Sequence, residues 1–153
     1  ITTLVVPFTH IQEEIRHKCA EEYFTVIMRR YMMKIAQIAA ERYGCEALIT
    51  GESVGQVASQ TIPAIACTDV ATQLPVLRPL IGMDKDEIIT IARKIDTFET
   101  SILPYEDCCT VFTPKHPRTR PKVASILHEE EALEEQALID EAVAGMEQIT
   151  ISI

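Results

Sequence analysis

Short apolar, strand-like runs alternate with helical patterns along this 153-residue chain, and this alternation constrains its fold more than any other feature. The strand-like runs lie at 3–6, 46–50 and 75–80, and a helical pattern follows each of them. Strands that alternate with helices are typical of a parallel sheet with helices packed on its faces. The sequence therefore predicts an α/β fold built on a parallel sheet.

The longest predicted helix covers residues 22–43, where apolar residues recur at three- and four-residue spacing. Gly44 directly follows this pattern and is a typical helix end signal. Arg29 and Arg30 lie inside the apolar stripe. Arginines on a helix usually form a solvated face, and the alternative is that one of the two points into a cleft. Another helix is predicted to start at Asp84, with Glu87 as its capping-box partner. A single polar helix is predicted over 122–144.

The segment 47–61, ALITGESVGQVASQT, is predicted to form a strand, a turn at Gly51 and a helix that Ser53 caps with Gln56 as its capping-box partner. In open α/β sheets, ligands bind where strands end and helices begin. Gly51 has no Cβ, so a nucleotide can approach its backbone closely. The alternative is a well-capped turn without a ligand, because the segment matches neither a Walker loop nor GxGxxG.

Two adjacent cysteines, Cys108 and Cys109, lie in the proline-bounded segment PYEDCCTVFTPKHP. Three interpretations stay open: a structural pair, a metal site that includes His116, and a reactive thiol. The other three cysteines have apolar neighbours and are predicted to be packed: Cys19, Cys45 and Cys67.

Charge is distributed unevenly in the sequence. The net charge of −9 argues against a self-sufficient nucleic-acid binder. Residues 115–122, KHPRTRPK, form a local basic patch, whereas 129–135 are acidic. Arg78 is a charge within the apolar run PVLRPL, so it is expected either at an exposed strand end or in an ion pair.

The sequence contains no apolar run long enough for a membrane span and no signal-peptide pattern. We therefore expect no membrane partner. The five cysteines are an odd number and do not suggest a disulfide framework, so we expect a reducing cytoplasm. Because the chain opens within a strand-like run and without Met, it is also expected to be a segment of a longer protein.

Three segments occur in an order that resembles the tRNA 4-thiouridine synthetase family (ThiI): TGESVGQVASQT, VLRPLIGMDKDEI and ILPYEDCCTVFTPKHP. The resemblance covers residues 4–121. It implies a partial PP-loop, Rossmann-like parallel sheet with flanking helices, over 1–121, followed by a C-terminal helical extension over 122–153. It also implies an ATP- and Mg²⁺-dependent transferase that adenylates a uridine in tRNA and replaces its oxygen with sulfur.

In this family, a cysteine desulfurase supplies the sulfur as a persulfide, and the family also serves sulfur transfer for the thiazole of thiamine. The resemblance implies that Arg29, Gly51 and Gln60 contact the nucleotide. It also implies that Cys109 carries the persulfide, and we assign Cys108 as the second thiol that releases sulfur.

Two departures from the family pattern shape the remaining expectations. The sequence contains no SGGxDS-type phosphate loop and no THUMP region, so tRNA affinity is expected mainly from regions outside this chain, and the fragment is expected to be inactive alone. In the family's topology, two strands that lie upstream of this chain separate strand 3–6 from strand 46–50. Without them, strand 46–50 should expose an unpaired edge. Either strand 3–6 pairs with that edge, or two copies join there as a homodimer.

Two rival interpretations remain at this point. One is a non-catalytic binding or assembly module, which the missing phosphate loop and the acidic C-terminal helix favour. The other is a different PP-loop ATP pyrophosphatase.

Overall fold

Helix α2, Phe24–Arg42, is the longest helix in the described part of the chain, and helices from both ends of the sequence pack against it. The computed structural model describes residues 1–105, 112 and 114–152. The predicted helix at 22–43 is confirmed, with a short 3-10 turn at Glu21–Tyr23 before it. Gly44 follows with a φ of 67°, the left-handed conformation that ends helices and that glycine adopts without strain.

The other described helices either pack against α2 or connect successive strands. They are α1 (Thr9–Lys18), α3 (Ile62–Asp69), α4 (Lys85–Lys94), α5 (Phe98–Ser101), α6 (Val123–Glu130) and α7 (Glu135–Ala144). The predicted capping box at the start of α4 is confirmed: Asp84 accepts a hydrogen bond from the Glu87 amide, and the Glu87 carboxylate accepts one from the Asp84 amide. None of these helices is both long and apolar enough to cross a bilayer.

The four described strands form two separate pairs. Strands β2 (Leu48–Ile49) and β3 (Val76–Leu77) are parallel neighbours, as expected for an α/β fold. Strands β1 (Thr2–Val5) and β4 (Glu147–Thr150) are antiparallel. The chain crosses from β2 to β3 through α3, so the carboxyl ends of both strands lie at the same edge of the pair. Gly51, one of the predicted nucleotide residues, follows β2 at this edge.

Strand β4 corrects the expectation for the first strand. Pairing of strand 3–6 with strand 46–50 was one predicted outcome, and it is wrong because the backbone groups of β1 are hydrogen-bonded to β4 instead. The sequence Glu147–Thr150 has no alternating apolar pattern and all four residues are exposed, so sequence patterning did not reveal this strand. Association of two copies through the edge of β2 stays a prediction.

The C-terminal residues fold as two helices rather than the one predicted over 122–144. The chain turns between α6 and α7 at 131–134, and both helices bury apolar side chains in the same core as α2. The buried apolar residues of this C-terminal part are Ile126, Leu133, Leu138, Ile139, Ala142 and Val143. The predicted division of the chain at residue 121 stays a prediction.

A buried ion pair fastens α6 to α2. The Arg30 guanidinium donates from Nε and Nη2 to the two Glu130 carboxylate oxygens over 2.7 and 2.9 Å, and from Nη1 to the Cys67 carbonyl over 2.6 Å. Arg30 and Glu130 are 2% and 6% exposed, so water cannot replace either partner. Lys34 adds a second cation 3.3 Å from Glu130. This bidentate geometry is the arrangement that compensates for the desolvation of both charges.

Removal of the Glu130 carboxylate should therefore destabilise the protein strongly. Glu130→Ala leaves the Arg30 charge buried without its partner, and we expect a loss of about 3 kcal/mol in the free energy of unfolding. Urea denaturation measures this loss. Glu131→Ala is the matched control, because the Glu131 side chain is 73% exposed, and its change should stay below about 0.5 kcal/mol. Equal losses at the two positions would contradict the assignment.

Candidate functional site

The segment after β2 forms a loop rather than the predicted helix. The Ser53 hydroxyl donates to the Met83 carbonyl over 2.7 Å, so it does not cap a helix, and Gly55 has a φ of 81°, which helical backbone excludes. The predicted helix start at Ser53 with Gln56 is therefore wrong. A 3-10 turn covers Ala58–Gln60, and α3 begins beyond it with Thr61 as its N-cap. The result is an open loop between the end of β2 and α3.

Glu52 is the buried charge at the centre of this loop. Its side chain is 4% exposed and lies between two guanidinium groups. Arg29 of α2 pairs with Oε1, and Arg78 donates from Nε to Oε2 over 2.6 Å. The Thr50 hydroxyl also donates to Oε2 over 2.8 Å. Because both carboxylate oxygens are occupied, Glu52 joins α2 to the carboxyl ends of both parallel strands.

Arg78 follows β3 directly and is paired, so the ion-pair alternative is the one observed. Its side chain is 11% exposed and contacts Asp69 as well as Glu52. Burial lowers the pKa of Arg78, but hydrogen bonds to the two carboxylates outweigh burial and raise the pKa above its ordinary value. Arg78 therefore serves as a fixed positive charge that pairs with Glu52 within the protein.

Arg29 is the less satisfied of the two arginines on Glu52. Burial lowers the pKa of the Arg29 guanidinium, the Glu52 carboxylate partly offsets this effect, and the positive charge of Arg78 adds to the lowering. Its side chain is 19% exposed, so part of the guanidinium faces the surface. A poorly hydrated guanidinium with free donors is a good partner for an anion.

Glu52 and Ser53, which follow Gly51, link the three residues that are predicted to contact the nucleotide. Glu52 holds the side chain of Arg29, and the Ser53 amide donates to Oε1 of Gln60 over 3.2 Å. Gly51 itself is exposed, and a Cβ placed on it would meet no atom of the described residues within 4 Å. The structure thus brings Arg29, Gly51 and Gln60 to one loop at the end of β2. Their contact with a nucleotide stays a prediction.

Sequence reasoning missed Glu52 as a member of this site. It placed a turn at Gly51 and gave Glu52 no role, although a carboxylate so close to the end of an apolar, strand-like run is an unusual charge. The signal that points to Glu52 is its combination with Arg78, because two isolated charges at the ends of neighbouring parallel strands are expected to lie close together.

Three of the five cysteines lie in the part of the chain that the structure describes. Cys108 and Cys109 lie outside the described residues. Cys67 is buried, and Cys19 is half-buried in surroundings that raise its pKa to about 11, mainly through burial and then through the charges of Glu129 and Glu130. Packing is confirmed for these two. It is wrong for Cys45, which is exposed because it lies in the turn beyond the end of α2.

Comparison with known proteins gives a consistent result over most of the chain. The family model described as "Thiamine biosynthesis protein (ThiI)" matches residues 1–135. A probable tRNA sulfurtransferase of Acetivibrio thermocellus is 59% identical over 148 residues, which are 97% of this chain and 38% of that protein. One from Alkaliphilus metalliredigens is 56% identical over 143 residues, 94% of this chain and 36% of that protein.

A solved structure has the same fold over nearly the full chain. The crystal structure of a 4-thiouridine synthetase–RNA complex with bound ATP superimposes with a TM-score of 0.93 and 37% identity, over 99% of this chain and 39% of that one. The chain thus spans less than two fifths of the length of these relatives. With the family model matched over residues 1–135 and these identities, the chain belongs to the ThiI family.

Proposed function

We propose that this chain is the C-terminal part of the ATP-binding catalytic domain of a tRNA sulfurtransferase that converts a uridine in tRNA to 4-thiouridine. The observation that carries the proposal is the convergence of Arg29 and Gln60 on the two residues after Gly51, at the carboxyl end of β2, in a member of the ThiI family. The names of the relatives and the bound RNA and ATP of the similar structure support the same function. The family description extends it to sulfur transfer for thiamine.

The chain's own residues supply three kinds of contact that suit an adenine nucleotide. Arg29 offers a cation for phosphate, and the Glu52 carboxylate keeps that guanidinium in place. Gly51 offers an exposed backbone with free space above it. The Gln60 oxygen accepts from the Ser53 amide, which leaves its NH₂ group as a donor. Mg²⁺ would offset the phosphate charge together with residues outside this chain.

ATP supplies the activation: transfer of AMP to the uridine oxygen, with release of pyrophosphate, makes that oxygen a leaving group. The terminal sulfur of a persulfide on Cys109 then forms the new bond to carbon as AMP departs. Attack of the Cys108 thiolate on the Cys109 sulfur breaks the S–S bond and leaves a disulfide that a thiol reductant must reduce. A cysteine desulfurase provides the persulfide, and the reaction belongs in the cytoplasm with its tRNA substrate.

The first test concerns the space above Gly51. In the full-length parent protein, Gly51→Val should lower ATP affinity at least tenfold, because a branched side chain occupies the space that the nucleotide needs and about 1–3 kcal/mol of backbone contact is lost. Isothermal titration measures the affinity. The urea midpoint should stay unchanged, because a Cβ at this position meets no atom of the described part of this chain within 4 Å. Wild-type affinity in the folded variant would contradict the role of Gly51.

The second test separates positioning by Glu52 from a purely structural role. Glu52→Gln in the full-length parent keeps the side-chain shape but removes the charge that orients Arg29, so the KM for ATP should rise about tenfold, equivalent to about 1.4 kcal/mol. Combined with Arg29→Ala, it should add little to the loss caused by Arg29→Ala alone, because both changes remove one interaction. Additive losses would show that Glu52 acts independently of Arg29.

The matched control for this cycle is Glu46→Gln. Glu46 is exposed and precedes β2, so its change should leave the KM for ATP at the wild-type value. A similar rise in both variants would assign the effect to net charge rather than to the Arg29–Glu52 pair.

The third test concerns the sulfur carrier. Cys109→Ser in the full-length parent should abolish 4-thiouridine formation and leave ATP binding intact, because serine cannot hold a persulfide. Mass spectrometry of digested tRNA measures the product. Cys45→Ser is the matched control, since Cys45 is exposed and lies at the other end of α2 from the CCT segment's neighbour Phe112. Normal thiolation in Cys109→Ser would reject the assignment.

A further inference from the structure

We propose that the basic strap, residues 115–122, binds the phosphate backbone of the tRNA substrate beside the modification site. The proposal rests on the proposed function and adds to it a defined contact surface on this chain. The strap places four Lys and Arg side chains within eight residues of a chain whose net charge is −9. All four are exposed: Lys115, Arg118, Arg120 and Lys122.

The backbone of the strap is fixed by hydrogen bonds at its start and in its middle. At its start, the Lys115 amide donates to the Glu21 carboxylate and the Arg118 amide donates to the Glu22 carbonyl, each over 3.0 Å. Further along, the Thr119 carbonyl accepts from the Thr61 hydroxyl over 2.6 Å. These contacts use backbone atoms of the strap, so they hold its course without consuming its basic side chains.

Little negative charge opposes these side chains among the described residues. Arg118 lies 3.6 Å from the Glu22 carboxylate and over the Tyr23 ring, at 5.9 Å from its centroid. Lys115, Arg120 and Lys122 have no ion pair with a carboxylate within 1–105, 112 and 114–152. An exposed row of cations, three of the four without a carboxylate partner in the described part of the chain, is the electrostatic feature that binds a nucleic-acid backbone.

The position of the strap favours RNA as its occupant. Thr61, which anchors the strap, follows Gln60 directly in sequence, so the strap borders the proposed nucleotide loop. Lys115 also follows Cys109 closely in sequence. A uridine that is activated at the nucleotide loop must bring its flanking phosphates across the surface beside that loop. The strap is a cationic segment that borders the loop. Contacts of this kind give affinity and position without sequence selection.

The experiment measures the salt dependence of tRNA binding by the full-length parent protein. Lys115→Ala/Arg120→Ala should weaken binding at least fivefold at about 100 mM KCl and make the slope of log K against log salt less steep by about 1 to 2, since each phosphate contact contributes roughly 0.7–0.9. ATP affinity should not change. The matched control is Arg42→Ala/Lys94→Ala, which removes two exposed cations at the ends of α2 and α4 and should leave the slope at the wild-type value.

Four results would overturn the proposal. An unchanged slope in the strap variant, or an equal change in the control, would show that the strap makes no specific phosphate contact. Loss of cysteine desulfurase binding with an unchanged tRNA slope would assign the strap to a protein partner instead. A wild-type parent that binds no tRNA would reject the proposed function as well, whereas a tRNA-binding parent with an unaffected variant rejects the strap alone.

Discussion

Two consecutive arginines of α2, each paired with a buried carboxylate, connect the candidate site to the C-terminal helices. Successive helical residues point about 100° apart, so neighbouring side chains reach different parts of the structure. Arg29 contacts Glu52 at the end of β2, and Arg30 contacts Glu130 at the end of α6. Both carboxylates are almost fully buried, and a buried charge is tolerated only when paired. The arrangement of α2 relative to its neighbours therefore depends on these two pairs.

This arrangement has a consequence for the candidate site. Arg29 is held between Glu52 and the surface, and it projects from a helix whose next residue is locked to α6 and to the Cys67 carbonyl of α3. Rotation or sliding of α2 would disturb the Arg30–Glu130 pair as well as the Arg29–Glu52 pair. The guanidinium is thus preorganised for an anion, which avoids ordering a flexible side chain when the ligand binds.

Charge is also separated along the surface in a way that suits two anionic substrates. The paired arginines Arg29 and Arg78 are neutralised by Glu52 and Asp69, so only part of one guanidinium is available at the nucleotide loop. The strap keeps its cations exposed and largely unpaired. A small, directed contact for phosphate and an extended cationic segment for a polynucleotide can therefore coexist in a chain with a net charge of −9.

The sequence by itself determined the features that depend on local pattern: the α/β class, the helix at 22–43 with its end at Gly44, the capping box of α4 and the family resemblance. These follow from periodicity and from short-range hydrogen bonds, which neighbouring residues specify. Only the tertiary structure decided which residue Ser53 contacts, which strand pairs with β1, and that Arg30 faces Glu130 while Arg29 faces Glu52. Each of these is a contact between residues that are distant in sequence. A buried polar group needs a partner, and only the packed chain determines whether that partner is a helix end or an opposite charge.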